Sequence, residues 1–191
     1  MGRVPAVFWD SCVFYAFLND DTAAYDVDGI AGLLGQARRG QIQIFTSSIA
    51  LAEIVPSAIK PAIARSLASF LDDFRSAITV VTPSPTVMLR AGQLRDLPFR
   101  KPPSPGRRLA TPDAIMLASC LELIEVHGIA ITQFHTFDDG KKRDPVYGRM
   151  VPLLSFEEWC QGFTDEQMRL ANKIIALPRA QPVYLPAGQT Q

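Results

Sequence analysis

The feature that most constrains this chain is a short uninterrupted apolar run, Ala6–Trp9, that ends directly at an aspartate, Asp10. A run without alternating polar residues is typical of a parallel strand buried on both faces of a sheet. Similar runs occur at residues 42–45, 78–81, 129–131 and 150–154, separated by segments with helical spacing. Strands that alternate with helices predict an α/β fold, here a three-layer α/β/α sandwich around a largely parallel sheet.

Local signals predict where the helices begin and end. Helices are expected at residues 11–18, 27–39, 63–74 and 83–94, in a segment beginning at residue 49, and in a short segment at 156–160. Thr111 and Pro112 are typical of an N-cap and a first helical residue, so another helix should begin there and end at Gly128. Residues 97–109 are rich in proline, glycine and arginine, which predicts a loop.

The length of 191 residues fits one main domain, which we place at residues 1–162. Residues 163–191 are predicted to add a C-terminal appendage, an amphipathic helix at 165–177 followed by a proline-rich extended tail. No apolar stretch reaches the length of a membrane span, and the first apolar run stops at Asp10, unlike a signal peptide. Three widely spaced cysteines predict buried thiols in a reducing cytoplasm.

Acidic residues stand at matching places in this predicted order. Asp10 ends the first strand, Glu53 follows the second strand by about two helical turns, and Asp113 lies in the first turn of its helix. Asp138 and Asp139 follow the fourth strand. Because ligands of parallel sheets bind beyond the carboxyl ends of the strands, we expect these acids to converge there.

Carboxylates gathered in one pocket repel each other unless a positive charge lies among them. A hard divalent cation, Mg²⁺ or Mn²⁺, suits carboxylate and water ligands and can activate a water for attack on a phosphoryl group. Hydroxyl groups next to the acids in sequence could orient water or a substrate phosphate; they belong to Ser11, Thr46 and Thr136.

Each acid also has a purely structural interpretation. Asp10 could cap the following helix, Glu53 could be an exposed helix acid, and Asp113 could interact with the helix dipole. Asp138 and Asp139, followed by Gly140, could form only a turn. The functional hypothesis therefore depends on the four positions taken together.

The charge of the chain is balanced, with 19 basic and 19 acidic residues, which alone argues against a nucleic-acid-binding protein. The basic residues are clustered, however, and two clusters flank the predicted acids. Arg107 and Arg108 precede Asp113, while Lys141 and Lys142 follow Asp138. They predict a basic rim around an acidic hole, which could hold a nucleic acid, or alternatively solvated loop charges.

Four short motifs occur in a fixed order at residues 7–13, 46–54, 111–115 and 136–138. They are a strand ending in Asp-Ser, a Ser/Thr-rich helix start followed by Glu, a helix opening with Asp-Ala, and a Thr-x-Asp sequence. This ordered set, over about residues 4–158, resembles PIN-domain proteins and among them VapC-type toxin ribonucleases.

The resemblance implies an α/β/α sandwich and Mg²⁺- or Mn²⁺-dependent endonuclease action on RNA. It implies metal ligation by four residues, namely Asp10, Glu53, Asp113 and Asp138. It also implies support of these ligands or substrate contact from Ser11, Thr136 and Asp139. For toxin members it further implies an antitoxin partner and a homodimer.

Several positions depart from the family pattern. Cys12 stands where Asn often follows the Asp-Ser pair, which weakens the expected supporting role at that position. The proline-rich loop before Asp113 is long, and the tail extends beyond a compact toxin domain. Asp139 competes with Asp138 for the fourth acidic position, and Asp138 is preferred because it keeps the Thr-x-Asp spacing.

Three other functions are alternatives to a metal-dependent nuclease. A phosphatase of the haloacid dehalogenase type would need an aspartate at the position of Cys12. A cysteine nucleophile would need Cys120 or Cys160 to pair with His127 or His135, although both cysteines lie in apolar helical contexts. A PIN-fold module that binds RNA or protein without cleavage is the more serious alternative, and the presence of all four acids argues against it.

Overall fold

The computed structural model describes residues 4–55, 74–140 and 149–184. Its sheet has five strands in the order β3-β2-β1-β4-β5, and every neighbouring pair is parallel. The strands are β1 (Ala6–Trp9), β2 (Gln43–Ser47), β3 (Ile78–Val81), β4 (Ile131–His135) and β5 (Arg179–Ala180). The predicted α/β/α sandwich with a parallel sheet is confirmed.

Six α-helices and one 3₁₀ helix are described in these ranges. They are α1 (Ser11–Leu18), α2 (Val27–Arg38), α3 (Ser48–Glu53), α4 (Pro85–Arg95), α5 (Thr111–Glu125), α6 (Asp165–Ile175) and the 3₁₀ helix Leu153–Trp159. The predicted helix at 63–74 lies almost wholly outside the described residues. Within the described part, no helix is both long and apolar enough to cross a membrane.

Local sequence explains several helix ends. Ser47 caps α3, as its Ser/Thr-rich start predicted, because its hydroxyl accepts a hydrogen bond from Ile49 N at 3.4 Å. Gly40 follows α2 with a φ of 68°, the left-handed conformation that favours glycine after a helix. The N-cap prediction for Thr111 is wrong by one residue, since Ala110 is the N-cap of α5 and makes no side-chain cap bond.

The core lies on both faces of the central strand β1. The aromatic rings of Phe8 and Phe134 stack across β1 and β4 with centroids 5.4 Å apart, and both side chains are fully buried. Helix α5 buries residues around most of its circumference, including Met116 and Leu117, and contacts β2, β4, α3 and α4. Each such side chain contributes about 1.5–3 kcal/mol to the stability of the fold by leaving water. This burial holds α5, and the first turn that carries Asp113, against the sheet.

The fifth strand predicted at residues 150–154 is wrong. Met150 makes only an isolated bridge to Arg108, and Pro152, which has no N–H to donate, is the N-cap of the 3₁₀ helix Leu153–Trp159. The edge position beside β4 is taken instead by β5, with Phe134 opposite Arg179. The fourth strand also begins later than predicted, at Ile131, so it reaches His135.

Residues after 162 contribute to the same core and sheet as the rest of the chain. Helix α6 begins with a reciprocal capping box between Thr164 and Gln167, and it buries Ala171 and Ile174 completely. The domain boundary at residue 162 stays a prediction.

The side chain of Arg179 connects this C-terminal segment to the domain. It is only 5% exposed and forms an ion pair with Glu157. Its guanidinium donates to the carbonyl oxygen of Leu153 at 2.8 Å, to that of Leu177 at 2.9 Å, and to that of Ile174. The buried guanidinium of Arg179 thus donates to three backbone carbonyls and holds β5 against β4.

Candidate active site

Asp10 is held by four donors directly after the central strand. Its side chain is buried, and Oδ1 accepts from Ser11 N at 2.6 Å and from Ser11 Oγ at 3.3 Å. Oδ2 accepts from Thr136 Oγ1 at 2.6 Å and from Cys12 Sγ at 3.1 Å. Asp10 is also the N-cap of α1, so the structural interpretation of this residue is confirmed, and its functional role stays a prediction. Its carboxylate is fixed in one orientation.

Glu53 is the last residue of α3, and one oxygen of its carboxylate is unpartnered in the part of the chain that the structure describes. Its Oε2 is buried and has no hydrogen-bond partner among the described residues. Burial raises the pKa of Glu53 to about 7, with the Ser11 side chain lowering it and the charge of Asp10 raising it. Near neutral pH, a large fraction of the metal-free protein therefore carries a proton here.

Tyr15 fixes the position of Glu53. Its hydroxyl donates to the carbonyl oxygen of Glu53 and accepts from Val55 N at 2.8 Å, which closes the C-terminal end of α3. This role was missed from the sequence. The available signal is that Tyr15 lies four residues after Ser11, one turn along the same face of α1.

Asp113 lies in the first turn of α5, and the charges of the other three acids act on its carboxyl group. Burial raises its pKa well above the usual value, and the charges of Asp10, Asp138 and Glu53 raise it further, in that order. The charges of the other three acids therefore all act on Asp113. A helix N-terminus would by itself favour the charged form, so burial, together with the repulsion from these acids, outweighs the helix dipole here.

Asp138 is the member of the adjacent aspartate pair whose charge acts on Asp113. Its Oδ1 accepts from Gly140 N at 3.2 Å and its Oδ2 from Leu153 N at 3.1 Å. Burial raises its pKa, the bond from Leu153 N lowers it, and the charge of Asp10 raises it. Asp139 lies beside it, partly buried, and its backbone N donates to Phe137 O at 2.9 Å.

The loop that carries Asp138 has a fixed shape. Gly140 has a φ of 72°, and a Cβ there would lie 2.7 Å from Pro152 Cγ. Only glycine fits both the backbone conformation and this close approach. The chain after β4 is therefore held against the start of the 3₁₀ helix, and the Asp138 carboxylate is held with it.

The predicted supporting hydroxyls divide into two groups. Ser11 and Thr136 both contact the carboxylate of Asp10, and their support of a metal ligand or substrate stays a prediction. Thr46 instead donates to the carbonyl oxygen of Trp9 at 2.8 Å, so it joins β2 to β1 and serves the sheet.

Arg107 is the basic residue with the clearest placement near the acids. Its guanidinium lies 4.2 Å from the Trp159 ring centroid and donates to Met150 O at 3.0 Å. One of its nitrogens lies 3.5 Å from the point where a Cβ of Gly140 would be, at the edge of the Asp138 loop. Arg108 is exposed, while Lys141 and Lys142 lie outside the described residues. Their contact with RNA stays a prediction.

Neither Cys120 nor Cys160 is activated as a nucleophile by a histidine. Burial raises the pKa of Cys160 to about 11 and raises that of Cys120 as well, so both remain thiols at neutral pH. His135 accepts a hydrogen bond from Trp9 Nε1 at 3.1 Å through Nδ1, and its Nε2 lies 2.9 Å from Gln133 Oε1. Since the indole can only donate, this histidine is neutral and structural.

Acidification should lower the stability of the folded protein, because His135 is buried in its neutral form. Burial lowers its pKa to about 4, whereas the unfolded side chain takes up its proton near 6.5. The folded state is therefore stabilised above pH 6.5 and loses about 3 kcal/mol as the pH falls to about 4. Denaturant unfolding of His135→Gln between pH 7 and 4 should show a shallower loss than the wild type. His127→Gln, which removes the exposed histidine, should match the wild type; equal slopes for all three proteins would contradict the prediction.

The donor chemistry of the four acids fits a hard divalent cation. Among the described residues, none of the ion pairs involves these acids, and Glu53 Oε2 has no partner. A cation placed among them would relieve the repulsion that raises the pKa values of Glu53, Asp113 and Asp138. No three Asp, Glu, His or Cys side chains in the described ranges already form a group able to hold a metal. The fit therefore rests on donor type, repulsion and the unpartnered oxygen rather than on a preformed cage.

Comparison with known proteins agrees with this arrangement. The PIN domain family matches residues 7–143, a segment that includes all four acids. No curated protein matches the chain. PIN domains are generally nucleases and generally use divalent metals. Since the matched segment covers well over half of the 191 residues, this protein belongs to the PIN domain family.

Proposed function

We propose that this protein is a metal-dependent endoribonuclease that hydrolyses RNA phosphodiester bonds, and that it is the toxin of a toxin–antitoxin pair. The observation that carries the nuclease proposal is the mutual effect of four carboxylates at the carboxyl ends of parallel strands. Burial raises the pKa of Asp113, and the charges of Asp10, Asp138 and Glu53 raise it further. Such a cluster costs free energy in the metal-free protein, and a bound cation offsets that cost.

The four acids share one task in this proposal, which is to bind the metal ion. Asp10, Glu53, Asp113 and Asp138 would hold Mg²⁺ or Mn²⁺, which when bound lowers the pKa of a water and stabilises negative charge on the phosphate. The Asp10 carboxylate is held in one orientation before a metal ion binds, because four donors form hydrogen bonds with it. Burial raises the pKa of both Glu53 and Asp113, so each ionises at higher pH than an ordinary carboxyl group, and metal binding should strengthen as the pH rises.

RNA as the substrate is supported by the motif resemblance and by the basic residues around the acids. Arg107 is held by Trp159 and Met150 at the edge of the Asp138 loop, so little side-chain freedom is lost when it contacts a phosphate. Arg108 is exposed beside it, and Lys141 and Lys142 are proposed to complete the rim. Ser11, Thr136 and Asp139 are proposed to support the ligands or the substrate.

The toxin role is supported by the resemblance of the four motifs to VapC-type ribonucleases. A cognate antitoxin that masks the acids and a homodimeric state follow from the same resemblance. The product of a neighbouring reading frame should co-purify with this protein and inhibit its RNA cleavage. Failure of every neighbouring product to bind or inhibit would argue for a nuclease outside toxin–antitoxin systems.

The nuclease proposal is tested by incubating the purified protein with single-stranded and structured RNAs in Mg²⁺ or Mn²⁺. We expect internal cleavage that EDTA stops and excess Mn²⁺ restores. Asp113→Asn should lower the rate at least about 100-fold, because it removes an anionic metal ligand. Asp165→Asn, which changes an exposed acid in the first turn of α6, is the matched control and should cleave normally.

Two results would overturn the proposal. Cleavage that survives both EDTA and Asp113→Asn would show a contaminating enzyme or a different site. Tight RNA binding with no cleavage under any metal would favour a non-catalytic PIN-fold module that binds RNA.

A further inference from the structure

The thiol of Cys12 bridges two separate parts of the candidate active site. Its Sγ donates to Asp10 Oδ2 at 3.1 Å and accepts from the backbone N of Phe137 at 3.1 Å. Both contacts are within the range of sulfur hydrogen bonds. Asp10 ends β1, whereas Phe137 immediately precedes Asp138 in the loop after β4. The side chain thus connects the loop of the fourth acid to the carboxylate of the first.

A second bridge runs parallel to the first. Thr136 Oγ1 donates to the same Asp10 oxygen at 2.6 Å and accepts from Asp138 N at 3.1 Å. Cys12 Sγ lies 3.4 Å from this hydroxyl. Two side chains therefore hold consecutive backbone N–H groups of the loop, those of Phe137 and Asp138, at a set distance from the carboxylate of Asp10.

The chemistry of these contacts needs a group that both donates and accepts. The carboxylate oxygen of Asp10 only accepts, and the backbone N–H of Phe137 only donates. A thiol satisfies both, as does a serine hydroxyl with a shorter reach. Alanine and valine satisfy neither. Cys12 therefore contacts Asp10 although it departs from the common family residue at this position.

We propose that Cys12 is a positioning residue that sets the spacing between Asp10 and the Asp138 loop and thereby the affinity of the site for a divalent cation. This inference rests on the proposed function, because it assumes that Asp10 and Asp138 ligate one ion or a pair of ions. Cys12 itself neither ligates the metal nor attacks the substrate in this proposal. Its effect is transmitted through the two carboxylates.

The first measurement uses metal-free protein and needs no activity. Amide hydrogen exchange followed by NMR should show protection of Phe137 N–H in the wild type. In Cys12→Ala this amide should exchange at least about tenfold faster, because its acceptor is gone. Cys12→Ser should retain most of the protection. Cys160→Ala, which removes a buried thiol distant from the acids in sequence and bonded to Phe156 O, should leave Phe137 unchanged.

The second measurement is a titration of each variant with Mn²⁺ alone, followed by electron paramagnetic resonance. Cys12→Ala should bind Mn²⁺ about 10- to 100-fold more weakly, the usual range when a group that orients a metal ligand is removed. Cys12→Val, which fills a similar volume without a donor or acceptor, should be equally weak. Cys12→Ser should recover most of the affinity, and Cys160→Ala should equal the wild type.

The outcomes separate this inference from the proposed function. Unchanged Mn²⁺ affinity in Cys12→Val and Cys12→Ala would overturn the positioning role, even if the wild type cleaves RNA. A wild type that binds Mn²⁺ but cuts no RNA would overturn the proposed function, while the Mn²⁺ titrations would still decide the role of Cys12. A wild type that binds no Mn²⁺ would overturn both.

Discussion

Replacing Glu53 with glutamine is expected to stabilise the metal-free protein at pH 8 and to abolish the metal-dependent RNA cleavage that we propose. Burial raises the pKa of Glu53 from 4.5 to about 7, so the folded state holds a proton that the unfolded state has released. For a carboxyl group with a raised pKa, stability is lost as the pH rises through this interval, and at pH 8 the full cost is present. Glutamine removes the charge and should recover on the order of 1–3 kcal/mol.

The activity of the same variant should change in the opposite direction. A neutral amide is a poor ligand for Mg²⁺ or Mn²⁺, and the cleavage rate should fall at least about 100-fold. Mn²⁺ should raise the melting temperature of the wild type at pH 8 and have little effect on Glu53→Gln. Thermal melts with and without Mn²⁺ at pH 5 and 8, together with the RNA assay, test both effects. Glu166→Gln, an exposed acid of α6, should change neither quantity.

Two results would count against this interpretation of Glu53. A variant less stable than the wild type at pH 8 would show that the ionised carboxylate makes a stabilising contact. Retained cleavage would show that Glu53 is not a metal ligand. The two effects are measured separately, so either can fail without the other.

Arg179→Met is expected to cause a large loss of stability although the residue lies outside the acidic cluster. Methionine keeps most of the apolar body but removes every donor, which leaves the carbonyls of Leu153 and Leu177 without their partner. The expected loss is about 3–5 kcal/mol. For a chain of this length, that loss lowers the melting temperature by about 6–20 °C. Urea unfolding followed by circular dichroism measures the change.

Arg100→Met is the matched control for this prediction. The Arg100 guanidinium also donates to backbone carbonyls, those of Gln161 and Gly162, but its side chain is exposed. Water can replace its bonds, so the loss should stay below about 1 kcal/mol. Equal effects of the two substitutions would contradict the structural role assigned to Arg179. An early separate unfolding transition in Arg179→Met would instead support a C-terminal unit that unfolds by itself.

The positions of the acids could be predicted because they depend on strong local patterns. The apolar run before Asp10 and the Ser/Thr-rich start before Glu53 each define an element and its end. The carboxyl ends of parallel strands lie at one edge of a sheet, so the topology alone placed these side chains near one another. The electrostatic effect of Asp10 and Glu53 on Asp113 agrees with that placement.

Features that depend on contacts distant in sequence could not be predicted. Strand β5 has two residues, too few to show a period, and it is held by the side chain of Arg179. Residues 150–154 have the apolar character of a strand because Val151 and Leu153 are buried, but the segment leads into the 3₁₀ helix instead of pairing in the sheet. The local Thr-x-Asp spacing favours Asp138 over Asp139, but the bond that Asp138 accepts from Leu153 N joins residues 15 positions apart and could not be foreseen. The contact of Cys12 with Phe137 N joins residues 125 positions apart and has no local signature.

The strand order has a consequence for how such an enzyme is made in a cell. The acids come from residues 10, 53, 113 and 138, and β1 receives β4 as its neighbour only after the chain has been synthesised past His135. A nascent chain that has emerged only as far as β3 holds two of the four carboxylates and lacks the loop that orients Asp10. If the nuclease proposal is correct, a ribosome translating this protein is not exposed to its activity until most of the chain has been released and folded. The dispersed origin of the acids would then delay hydrolysis until synthesis is nearly finished.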